Sequence, residues 1–97
     1  MLDIHCQCSQ LRELKLYCCA FITDFSINEI ALKCKELIKL DCSDCPRVTI
    51  DVLTSVVQQC PKLQMLMFTT DNLLERNKFL KMVQTSYPNV KIAEDIS

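Results

Sequence analysis

A step of 26 residues governs this chain. Cys8, Cys34 and Cys60 stand that far apart, as do Leu11, Leu37 and Leu63, and Leu14, Leu40 and Leu66. The same step links Leu16, Cys42 and Phe68, then Cys19 and Cys45, then Ile22, Val48 and Leu74. It continues through Ile27, Leu53 and Phe79, and through Ile30, Val56 and Met82. Eight rows in phase define an internal repeat, and a repeat of this length restricts the architecture before any single motif is weighed.

Each unit has two halves of different period. The first, "LRELKL", "LIKLDC" or "LQMLMF", alternates apolar and polar residues and predicts a short strand with one face buried. The second carries apolar residues at i, i+3, i+4 and i+7: Ile27, Ile30, Ala31, Cys34; then Leu53, Val56, Val57, Cys60; then Phe79, Met82, Val83, Ser86. That stripe predicts a three-turn helix. Thr23 and Thr49 are candidate N-caps, Ser26 with Glu29 has capping-box spacing, and Pro61 and Pro88 should stop helices two and three. One strand and one helix bury too little by themselves, so the units must stack, strand beside strand, into a parallel sheet with helices outside. The predicted fold class is α/β: a short solenoid with its strands on the concave face and its helices on the convex face.

The pattern L-x-x-L-x-L-x-x-C from Leu11 to Cys19 fits a leucine-rich repeat. The longer frame C-x-x-L-x-x-L-x-L-x-x-C-x-x-I-T-D, from Cys8 to Asp24, resembles the cysteine-containing subclass of these repeats. The second copy, Cys34 to Thr49, keeps the frame with Cys42 at the third leucine. This subclass is typical of F-box/leucine-rich-repeat proteins, the substrate receptors of SCF ubiquitin ligases. The glycine common at the start of the family's helix is replaced by Ser26 and Val52, and the third unit has Asp71 in place of the cysteine. Unit boundaries at 9–34, 35–60 and 61–87 follow. Residues 1–8 read as the end of a preceding repeat helix and 88–97 as a C-terminal cap. In that cap Val90 and Ile92 would open a fourth strand one residue late, with Asp95 at an inward position.

The cysteines fall within this frame. The C-x-x-C pair Cys42 and Cys45 follows from the repeat itself, Cys42 taking an inward strand slot and Cys45 the buried turn slot of Cys19. A free cysteine is a small hydrophobe whose S–H can reach a backbone carbonyl. The rival reading is a small metal-binding or thiol-regulated domain built on Cys42, Cys45 and neighbouring cysteines. A zinc site needs four converging ligands, and the second C-x-x-C knuckle is missing. A redox dithiol needs its first thiol at a helix N-terminus, whereas here the strand ends at Cys42. Cys6 and Cys18 lie outside the frame and are the expected exposed thiols. His5, the sole histidine, has no positioned nucleophile, and with no glycine there is no phosphate-cradling loop. No enzyme, cofactor or metal is expected.

The residues alternating with the buried leucines form the expected protein-binding surface. They are Glu13, Lys15 and Tyr17, then Lys39, Asp41 and Ser43, then Met65, Met67 and Thr69. Glu13 with Lys39 and Lys15 with Asp41 would make exposed ion pairs across strands, worth about 0–1 kcal/mol each. Met65 and Met67 offer an adaptable apolar contact unless the segment around Ile92 covers them. The expected partner is therefore a protein held on the concave sheet. The resemblance implies ubiquitin-ligase substrate capture, but without an F-box before Leu11 the ligase adaptor is not expected to bind this chain. A net charge of −1 argues against nucleic acid, and no apolar run is long enough for a membrane. The opening residues lack a signal-peptide pattern, so a cytoplasmic or nuclear location with reduced thiols is expected.

Overall fold

A computed structural model describes residues 10–94 of the chain. Its elements alternate: β1 (Glu13–Lys15), α1 (Asp24–Lys33), β2 (Lys39–Cys42), α2 (Ile50–Gln59), β3 (Met65–Phe68), α3 (Leu73–Ser86) and β4 (Lys91–Glu94). The four strands form one parallel sheet in chain order. Glu13 pairs with Lys39, Lys39 with Met65 and Met65 with Lys91, so the spacing of the sequence repeat is the hydrogen-bonding register of the sheet. The α/β class is as expected.

The apolar half of each period explains the core. Leu40, Leu66, Leu16, Cys42 and Phe68 from the strands are buried with Ile27, Ile30, Leu53, Val56, Phe79 and Val83 from the helices. Each fully buried large aliphatic side chain contributes about 1.5–3 kcal/mol relative to exposure. Phe68 and Phe79 meet edge to face, ring centroids 5.5 Å apart, which fastens α3 onto β3. The helices therefore cover one face of the sheet, α1 packing on α2 and α2 on α3, and among the described residues no element covers the other face. No helix among the described residues is long and apolar enough to cross a membrane.

Capping follows the sequence with one change of partner. Thr23 caps α1, but the box is closed by Ser26, whose hydroxyl accepts from the Thr23 N–H. Glu29 turns instead to Lys33, 3.8 Å away. Thr49 caps α2 by position without bonding its own helix. Its N–H and hydroxyl both donate to the Asp24 carboxylate, at 2.7 and 2.6 Å, joining the start of α2 to the start of α1.

The third unit departs from the first two. In those units the turn after the strand uses a left-handed residue, Cys18 (φ 61°) or Asp44 (φ 55°), although neither is glycine. A cysteine follows each, and Ile22 and Val48 then donate backbone bonds to Cys19 and Cys45. Asp71 stands in the corresponding cysteine slot and is exposed, since burying its carboxylate unpaired would be costly. The chain enters α3 early instead, with Asn72 as the cap accepting from the Glu75 N–H at 3.1 Å. Leu74 is consequently 65 % exposed, outside the row of Ile22 and Val48.

The far end of α3 is also displaced. Cys34 and Cys60 cap α1 and α2, each donating back into its helix and accepting from Leu37 or Leu63. In the third unit Tyr87 does this, donating to Val83 and accepting from Val90, while Ser86 is exposed. The helix-to-strand corner is thus one residue late, as expected for Val90. The strand is not: Ile92 pairs with Leu66 and Glu94 with Phe68, so one residue fewer separates corner and strand. The expected inward position of Asp95 lies outside the described residues, as do the readings of residues 1–8.

Candidate protein-binding face

On the open face of the sheet the strand residues form rows across the chain. Glu13, Lys39, Met65 and Lys91 make the first, and Lys15, Asp41, Met67 and Ala93 the second. Their order results from in-register parallel pairing, which sets like positions about 4.8 Å apart. Glu13 and Lys15 on the edge strand are exposed, whereas Lys39, Asp41, Met65 and Met67 are half-buried. The methionines are flanked by Lys91 and Ala93 of β4, so the C-terminal strand does cover part of their surface. A shallow depression at the amino-terminal ends of the strands includes Glu13, Lys39, Met65 and Lys91 in its lining.

The third row, Tyr17, Ser43 and Thr69, is different in kind. All three follow their strands, so the alternation that aims side chains outward has ended. Tyr17 is 59 % exposed. Ser43, expected on the surface, is only 4 % exposed and contributes no contact area. It belongs to the turn, where its N–H donates to the Asp41 carboxylate at 3.0 Å and its carbonyl accepts from the Cys18 N–H at 2.9 Å. Thr69 is half-buried, and its hydroxyl accepts from the Asp44 N–H at 2.8 Å.

The expected ion pairs do not form. Neither Glu13–Lys39 nor Lys15–Asp41 makes a salt bridge, and Asp41 has the Ser43 N–H as its partner instead. Side chains extended across one strand spacing in water gain little from pairing. Glu13, Lys15 and Lys39 thus make no ion pair among the described residues.

The thiols are engaged inward. Cys42 Sγ donates to the Met67 carbonyl at 3.4 Å, and Cys45 Sγ to the Leu16 carbonyl at 2.9 Å. Cys60 Sγ lies 3.9 Å from the carbonyls of Ala31 and Cys34. Burial, with the nearby Cys45 and Asp41 charges adding to it, pushes the Cys42 thiol up to about 12. Burial likewise raises Cys45 and Cys60. Among the described residues no three His, Cys, Asp or Glu side chains are grouped so as to hold a metal ion. Cys18 is exposed, as its place outside the frame implied, and Cys6 lies outside the described residues.

One surface escaped the sequence reading. At the carboxyl ends of the strands, a groove between the starts of α2 and α3 is lined by Thr49, Asp51, Thr70 and Glu75, and a second beside it by Asp44 and Asp71. Its acidity comes from residues scattered through the second and third units, Asp44 and Asp51 in one and Asp71 and Glu75 in the other. Only the turn geometry brings them to one end, so no local motif announces it.

Among curated proteins, the chain is similar to F-box protein SKIP1 of Arabidopsis thaliana, 33 % identical over 60 residues. That stretch is 62 % of this chain and 20 % of SKIP1, so the match spans about one fifth of the relative's length. No protein-family model matches the chain. No solved structure matches it either.

Proposed function

We propose that the chain is a protein-recognition module made of cysteine-containing leucine-rich repeats, and that it holds a protein partner on the open sheet face. Its unit boundaries would be those of the sequence repeat, and its sheet would be the concave side of a short solenoid. The observation that carries the reading is the in-register sheet whose outward charges, Glu13, Lys15 and Lys39, make no ion pair among the described residues, beside half-buried Met65 and Met67. Repeat proteins use such continuous surfaces to hold other proteins. The similarity to an F-box protein supports a place in ubiquitin-ligase substrate recognition, with these residues supplying the substrate-binding part. In this reading the module is not catalytic and works in the cytoplasm or nucleus.

The test is capture of partners from cell extract under reducing conditions. The chain is compared with a Lys15→Glu, Lys39→Glu, Met67→Asp variant of matching circular dichroism. Asp41 is left intact because it caps the Ser43 turn. A protein retained by the first and lost by the second supports the sheet face. Identical captures by both, or none by either, count against it.

A further inference from the structure

The turn after β1 and the turn after β2 bring together cysteines that the recognition face does not use. Parallel pairing continues past the strands: Leu16 donates to Asp41 at 2.6 Å and Cys18 to Ser43 at 2.9 Å. A further bridge joins Thr23 to Arg47. Cys19 and Cys45 lie between these two ties, at equivalent positions of neighbouring units. Both residues also converge on one atom, the Leu16 carbonyl oxygen, which accepts from the Cys19 N–H at 3.2 Å and from the Cys45 thiol at 2.9 Å. Residues one strand spacing apart on parallel segments fall within the Cα separation a disulfide requires, about 4.4–6.8 Å.

Access differs between the two. Cys19 is half-buried next to exposed Cys18, while Cys45 is 6 % exposed. The stacked pair at the other corner, Cys34 and Cys60, is buried on both sides. A small oxidant therefore reaches one pair and not the other.

We propose that Cys19 and Cys45 form an oxidant-responsive thiol pair that closes to a disulfide across neighbouring units when the chain meets a peroxide. The Cys19 thiolate attacks hydrogen peroxide, breaking the O–O bond and taking one oxygen as a sulfenic acid. The other leaves as hydroxide and takes up the proton that the Cys19 thiol released, as water. The Cys45 thiol then attacks that sulfur. The S–S bond forms as the S–O bond breaks, and the hydroxyl leaves with the Cys45 proton as a second water. The two thiols lose two electrons and the peroxide gains them. Burial raises the Cys45 thiol, so the resolving step is slow and the pair stays reduced until oxidant is sustained. Closure replaces the Cys45–Leu16 hydrogen bond by a covalent tie between the first two units.

The reduced 97-residue chain is treated with hydrogen peroxide, alkylated and digested with trypsin without reduction. Cleavage after Lys15, Lys33, Lys39 and Arg47 leaves Cys18 and Cys19 on one peptide and Cys42 and Cys45 on another. The expected product is these two peptides joined, with fragmentation placing the link at Cys19 and Cys45. The joined pair persists in Cys18→Ser and Cys42→Ala and is lost in Cys19→Ser. The thermal midpoint of the oxidised chain rises and returns to its starting value with dithiothreitol. A link through Cys18 or Cys42, chains joined to each other through Cys18, or oxidation stopping at sulfinic acid on Cys19 would each overturn the proposal. The wild-type fragmentation decides the matter even where a variant folds poorly.

Discussion

The Cys45 thiol donates to the carbonyl oxygen of Leu16 at 2.9 Å, from the turn of one unit to the strand end of the unit before it. Cys42 does the same in the opposite direction, reaching Met67 in the unit after it. The C-x-x-C pair is thus two inter-unit ties to main-chain oxygens. Cysteine suits these places because its S–H is small enough to be buried and still satisfies a carbonyl.

Replacing Cys45 with alanine should remove both the bond and the packing. The expected loss is about 1–3 kcal/mol, from a small cavity and the removal of one of the two donors to the Leu16 carbonyl, the Cys19 N–H remaining. Urea unfolding checks this, with an unchanged slope and a lower midpoint. An exposed control, Cys18→Ala, exchanges a left-handed cysteine for an equally non-glycine residue and should change the midpoint little.

Alkaline pH should unfold the protein through its thiols. The folded state holds the Cys42 thiol up to about 12, against an ordinary value of 9.0. Below pH 9 both states keep the proton and the stabilising contribution is complete. Between pH 9 and about 12 the unfolded chain releases a proton that the folded chain retains, so stability falls as pH rises. The slope approaches about 1.4 kcal/mol per pH unit for one such group. Cys45 and Cys60, raised in the same direction, add to it. Urea midpoints from pH 8 to 10.5 should decline less steeply in Cys42→Ala than in the wild type. Parallel declines would show that Cys42 contributes nothing to the pH dependence.

Much of this was legible because the repeat encodes register directly. Once Leu14, Leu40 and Leu66 are known to be equivalent, strand pairing, the buried rows and the neighbours of Glu13 and Lys39 all follow. What the repeat cannot encode is departure from itself. The exposure of Leu74 depends on Asp71 refusing a buried slot three residues earlier, and the late corner at Tyr87 depends on the length of α3. Ser43 was misplaced for another reason: alternation holds only while a strand lasts, and β2 ends at Cys42. The Asp24–Thr49 bonds join residues that a helix-cap rule treats separately.

Those bonds make Asp24 a joint between units. Its carboxylate lies in the first turn of α1 and accepts two hydrogen bonds at the N-cap of α2, where negative charge is favoured. Asp24→Ala should cost about 1–2 kcal/mol, the usual range for losing a charged cap partner. Thr49→Val removes only the hydroxyl bond and should cost less. In the double variant the two losses should fall short of additive, because both changes remove the same bond. Full additivity in a double-mutant cycle would mean that the Thr49 hydroxyl bond carries no coupling.

The third unit supplies the sharpest contrast between repeat and structure. By the repeat, Ile22, Val48 and Leu74 are equivalent, and trimming any of them should cost alike. By the structure, Val48 packs against the core while Leu74 is 65 % exposed. Leu74→Ser should therefore lie within about 0.5 kcal/mol of wild type, as surface changes do. Val48→Ser should cost about 1–2 kcal/mol through lost burial and a poorly placed hydroxyl. Phe79, edge to face with Phe68 and 3 % exposed, sets the upper end, with about 3–5 kcal/mol expected for Phe79→Ala. If Leu74→Ser proves as damaging as Val48→Ser in urea unfolding, the early start of α3 at Leu73 is wrong. The third unit would then follow the first two, with its turn closed over Leu74.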